Sequence, residues 1–199
     1  MQDELKIREA WDRGEYDLAT SLTLHQYGLE VLGFLRATHR QHDDANEAFA
    51  LLSVRLWRAM ASFAWKCSMR TWLYLLARTA SADVRRELAK GARIEPPAGE
   101  INLPELVAHA RTETLSMFRT EKRAAFAELC LELPEDDREL LLLRTARELP
   151  WRDVAMIFGA NHGLTDERQL EREAARLRKR FQLVRARLRE LGRQRGLLP

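Results

Sequence analysis

Apolar residues in this chain return every three or four positions, and that regularity fixes its fold class. Tyr27, Val31, Phe34 and Leu35 form one series. Phe49, Leu52, Leu56 and Met60 form a second, and Met69, Trp72, Leu73, Leu76, Ala80, Val84 and Leu88 a third. Steps of three and four put each series on one side of an α-helix and leave the other side to water. Strict alternation of apolar and polar residues, the mark of a half-buried strand, is absent. The spacing predicts helices over 16–40, 44–60 and 68–89 joined by short loops, in an all-α chain.

The pattern stops once. Gly91, the run Ile94-Glu95-Pro96-Pro97-Ala98-Gly99-Glu100 and Pro104 cannot continue a helix. This predicts a flexible linker over 91–114 between two small helical domains, 1–90 and 115–199. The second half resumes near Leu115 with Phe118, Phe126 and Leu129. Pro134 followed by Glu135-Asp136-Asp137 reads as a helix start, because proline and acids suit a first turn. Leu140 to Leu143 supply its buried face. Pro150 opens another helix and Gly159 ends it.

That last short helix, Trp151 to Gly159, precedes a basic run, Arg176-Leu177-Arg178-Lys179-Arg180-Phe181-Gln182. A short apolar-faced helix ending at glycine before an arginine-rich helix is the sequence form of a helix-turn-helix. The formal net charge is only +3, so distribution matters more than the total. Beyond Arg176, the bases Arg178, Lys179, Arg180, Arg185, Arg187, Arg189, Arg193 and Arg195 are answered by Glu190 alone. Such a helix suits a polyanion, with DNA the first candidate.

Leu170, Ala174, Leu177, Phe181, Val184, Leu188 and Leu191 alternate at four and three along the same stretch, which is also how a coiled-coil seam reads. Flanks of one sign would repel across a parallel pair. A seam packed instead on Val154, Phe158 and Leu140 leaves the arginines outward. Arg176, Arg178, Lys179, Arg180 and Gln182 are then the candidates for base edges, arginine gripping guanine and glutamine adenine. Arg185, Arg187 and Arg189 suit phosphates. Thr165 or Asp166 is the expected cap of this helix.

Other classes fare poorly. Two cysteines, Cys67 and Cys130, imply no disulfide framework and fit a reducing cytoplasm. Met1-Gln2-Asp3-Glu4-Leu5-Lys6 lacks the apolar core of a signal peptide, and no run reaches the ~20 apolar residues that cross a membrane. His39 and His42 before Asp43 and Asp44 have a spacing a metal could use, but read as a solvent-exposed helix end. No glycine-rich phosphate loop or nucleophile motif appears, so no enzyme, cofactor or metal is expected.

Two separated regions resemble one family, the extracytoplasmic-function sigma factors within the sigma-70 family of bacterial RNA polymerase. Trp11-Asp12-Arg13-Gly14-Glu15 followed by Tyr27 resembles the opening of region two. Asp43-Asp44-Ala45-Asn46-Glu47, continuing to Arg55-Leu56-Trp57-Arg58-Ala59, resembles its core-binding helix. Arg70-Thr71-Trp72-Leu73-Tyr74-Leu75-Leu76-Ala77-Arg78 resembles the promoter-melting helix. Leu133 to Arg144, Trp151 to Gly159 and Leu177 to Leu191 are similar to region four. The chain departs from the family pattern at Ala50-Leu51, where a glutamine and an acid are usual, and in the inserted stretch 161–175.

The resemblance implies a non-catalytic protein that binds core polymerase through Asp44, Glu47, Arg55 and Arg58. It implies capture of the melted −10 strand by Phe63, Trp65, Lys66, Ser68, Arg70 and Arg78, with exposed aromatics holding unstacked bases. It implies reading of the −35 element by the last helix, over a linker of about 25 residues that can span tens of ångströms. Such proteins are often restrained by an anti-sigma partner. Two alternatives stay open: a helix-turn-helix regulator that never meets polymerase, and a DNA-free adaptor using the 170–191 seam.

Overall fold

A computed structural model describes residues 2–91, 125, 128–160 and 166–198. Every regular element among the described residues is helical. The chain divides into two compact units, Met1–Thr112 and Glu113–Pro199. The expected linker lies outside the described residues except for Gly91, as do Leu115, Phe118 and Thr165.

Unit one holds α1 (Gln2–Asp12), α2 (Tyr16–Thr38), α3 (His42–Ala59) and α4 (Met69–Ala89), with a 3₁₀ turn over Met60–Ser62. The last three match the expected helices to within a few residues. Helix α1 has no counterpart in the sequence reading, since its residues are mostly polar. It is anchored by buried Ile7 and Ala10 and by Trp11, whose indole donates to the Met60 carbonyl at 2.9 Å. Gly14, at φ +75°, turns the chain from α1 into α2. Helix α2 packs on α1, α3 and α4, and α3 packs on α4.

The core of this unit comes from Val31, Phe34, Leu35, Phe49, Leu52, Leu56, Leu73, Tyr74, Ala77 and Val84. Each large apolar side chain so buried contributes about 1.5–3 kcal/mol. Phe34 meets Tyr74 edge-on with centroids 5.2 Å apart. The expectation of two solvent-exposed histidines fails at His39. It is only 6% exposed, beneath α4, with Nε2 2.6 Å from the Ser81 hydroxyl. Helix α2 ends at Thr38, so His39 leaves it in an extended conformation and turns inward. No cluster of metal-ligating residues occurs among the described residues.

Unit two holds α5 (Glu135–Thr145), α6 (Trp151–Gly159) and α7 (Glu167–Gln194). Pro134 and Pro150 sit at the caps of α5 and α6, where a missing N–H costs nothing. Asp166 occupies the N-cap of α7, without a side-chain capping bond. Leu170, Ala174, Leu177, Phe181 and Val184 are buried in the seam of α7, against α6 and α5. Val154, Ile157 and Phe158 of α6 and Leu140, Leu141 and Leu143 of α5 complete this core. No helix among the described residues is long and apolar enough to cross a membrane.

Candidate nucleic-acid interface

The 28 residues of α7 make a rod of about 42 Å, longer than packing on two short helices requires. With its seam turned inward, the opposite side is solvated. Arg176, Arg178, Lys179, Gln182, Arg185, Arg187, Arg189 and Arg193 are exposed along it. Glu173 holds the Arg176 guanidinium at 2.6–2.8 Å, and that hydrogen bond raises the arginine pKa. Arg178 lies 5.8 Å from the centre of the Trp151 ring, which Arg144 also covers at 4.6 Å. Arg185 sits 5.8 Å from Phe181.

Arg180 differs from this set. Its Nε donates to Asp137 at 2.6 Å, with Asp136 3.6 Å from Nη1, so it ties α7 to the first turn of α5. Of the residues expected at DNA, Arg180 is thus the one held by two carboxylates at a helix start. Upstream, Arg152 of α6 forms a two-pronged pair with Glu167 at 3.0 Å. The hydrogen bond from Arg152 lowers the Glu167 pKa.

In unit one, the loop from Phe63 to Ser68 carries a column of rings. Phe63 stacks on Trp72 with centroids 4.3 Å apart and tilts against Trp65 at 4.9 Å. Trp65 meets Trp11 edge-on at 6.0 Å. The Arg8 guanidinium covers the Trp65 ring at 4.4 Å and is held in place by Asp12 at 3.1–3.2 Å. Trp65 adopts φ +53°, a left-handed conformation that costs a tryptophan on the order of 1–3 kcal/mol. Its buried indole N–H has no hydrogen-bond partner among the described residues.

The other residues expected at the single strand divide by what they touch. Phe63 is 6% exposed, so it supports the column rather than offering a face to a base. Ser68 caps α4, accepting from the Thr71 N–H at 3.0 Å. Arg70 is gripped by Glu30, which also accepts from Tyr74 at 2.7 Å. Burial depresses the Arg70 pKa, but the hydrogen bonds and charge of Glu30 outweigh that and leave it raised. Each of these three has a partner inside its own unit. Lys66 is exposed, Trp65 and Arg78 half-buried.

On α3, Asp44, Glu47, Leu51, Val54 and Arg58 recur at steps of three and four and are exposed or half-buried, forming one outward stripe. Arg55 falls beside it and is tied to Asp83 of α4. Trp57, which sequence reasoning did not assign, is 55% exposed, its indole donating to Asp17 at 2.7 Å. Its signal was available: Trp57 falls off the Phe49–Leu52–Leu56–Met60 register, and a tryptophan off the core stripe is displayed. Arg8, also unassigned, had none, since it reaches Trp65 only through the fold.

Helical elements throughout the described residues, a long basic helix after a short apolar one, and a ring column with a strained Trp65 define a helical protein suited to nucleic acid. Comparison narrows the class. The chain is 30% identical over 138 residues to the RNA polymerase sigma factor YlaC of Bacillus subtilis, covering 67% of this chain and 76% of that protein. It is 26% identical over 155 residues to the RNA polymerase sigma-H factor of Pseudomonas aeruginosa, covering 74% and 76%. No family model matches it. The chain belongs to the sigma-70 family of RNA polymerase sigma factors.

Proposed function

We propose that this sigma factor binds core RNA polymerase and delivers it to promoters by gripping DNA with two separate units. The supporting observation is α7: its apolar seam is turned inward, and the basic side remains solvated over several turns. In this reading α7 lies in the major groove of the −35 element. Arg178, Lys179 and Gln182 lie toward base edges, with Arg176, Arg185 and Arg187 on phosphates. The half-buried Trp65 and the exposed Lys66 beside it meet the unpaired −10 strand. Arg78 follows the backbone of that strand. The α3 stripe of Asp44, Glu47 and Arg58, with Trp57 at its side, docks on polymerase, where a displayed tryptophan beside charges is a common anchor. The polymerase performs all chemistry.

Run-off transcription with purified core enzyme tests this. Adding the chain should produce defined start sites, and Lys179→Ala should weaken promoter binding while leaving core binding intact. Failure to associate with core enzyme would remove the reading.

A further inference from the structure

Helix α7 contains one break in its amphipathic order. Its large apolar side chains Leu170, Leu177, Phe181 and Val184 are buried, and Leu188 and Leu191 half-buried. Leu183 alone stands out, 72% exposed, the highest value for a large apolar side chain among the described residues. On a 3.6-residue helix its neighbours are Arg176, Lys179 and Arg180 on one side, and Ala186, Arg187 and Glu190 on the other. Arg180 is committed to Asp137 and Glu190 to Gln194. Leu183 is therefore a bare isobutyl group on the solvated side of α7, with Arg176, Lys179 and Arg187 beside it. A lysine there would keep the helix and add attraction for phosphate. A leucine forgoes that and exposes apolar surface to water.

We infer that Leu183 is a specificity residue that reads a thymine by its C5 methyl group. This rests on α7 lying in a major groove, as proposed above. In that groove thymine is the base that presents a methyl, and apolar side chains recognise it by contact. The surrounding cations hold the helix on the backbone and bring Leu183 to base depth. Burying one methyl against the leucine is worth about fourfold in affinity. The discrimination belongs to one base-pair position and leaves the salt dependence, set by the phosphate contacts, unchanged.

The test uses holoenzyme reconstituted from the full chain and a pool of duplexes randomised upstream of the start site. The wild-type holoenzyme should enrich thymine at one position on which Leu183→Ala shows no preference. Replacing that thymine by deoxyuridine, which lacks only the methyl, should weaken the wild type about fourfold and leave Leu183→Ala unchanged. Alanine at an exposed helical site preserves the helix, so both proteins should melt alike. An equal thymine-to-uracil ratio in the two proteins overturns the assignment. So does a Leu183→Ala protein that keeps the ratio but loses core binding, which would make Leu183 a protein contact. Holoenzyme that enriches no sequence would instead refute the promoter-delivery reading itself.

Discussion

Arg180 and Lys179 are adjacent cations on one helix: Arg180 is paired within its own unit, and the exposed Lys179 is proposed to meet DNA. The Arg180 guanidinium is 29% exposed and the Asp137 carboxylate 16%, with Nε to Oδ1 at 2.6 Å. A hydrogen bond between charged groups contributes about 1.5–3 kcal/mol. Two effects reduce the loss when Arg180 is truncated: partial exposure, and the N-terminus of α5, which itself stabilises Asp137 by about 0.3–1 kcal/mol. Arg180→Ala should therefore destabilise unit two by about 1–2 kcal/mol, lowering hydrogen-exchange protection in α5 and α7 roughly 5–30-fold. Lys179→Ala removes an exposed side chain and should stay within about 0.5 kcal/mol. The DNA readout inverts. The slope of log affinity against log salt should fall in magnitude by about 0.9 for Lys179→Ala and hardly change for Arg180→Ala. Exchange mass spectrometry on the full chain and duplex titration at several salt concentrations measure both. An Arg180→Ala protein with wild-type protection and a slope reduced by that amount would refute the clamp.

Three further outcomes follow from single contacts. Ser68→Ala should cost about 1 kcal/mol by removing the cap on α4, whereas Ser68→Asp keeps a capping oxygen; thermal melts should rank them so, and equal melts would deny the cap. The Cys130 thiol is pushed up to about 11, burial being the main cause and the Arg138 charge opposing it. At neutral pH an alkylating reagent should therefore mark Cys67 well before Cys130, with peptide mass spectrometry as the check. Glu167→Gln should release Arg152 and raise duplex affinity a few-fold at low salt, the gain vanishing at high salt. Because the Glu167 pKa is lowered in the folded chain, the pair contributes at neutral pH and is lost as pH falls through that lowered value.

Where neighbouring residues decide an outcome, the sequence was enough. The three helices of unit one follow from their apolar stripes, and α5 and α6 from a proline at each start. The inward seam of α7 follows from steps of three and four. What escaped was pairing across distance. Arg180 and Lys179 look alike until Asp137, 43 residues earlier, is brought against one of them. Ser81 lies 42 residues beyond His39, so nothing near the histidine announces its burial. Helix α1 is too polar to advertise itself, and it matters because Arg8 reaches Trp65 from it.

The left-handed backbone at Trp65 is a separate case, since local propensity assigns that conformation to glycine or asparagine. A tryptophan held there, with its N–H unused, means that the surrounding rings outweigh the local preference. Leu183 is the converse. Its departure from the seam is plain in the sequence, but only the burial of the other apolar residues of α7 gives the departure a meaning. In both places the residue departs from the rule that its neighbours obey, and the proposed roles of Trp65 and Leu183 stand on those departures.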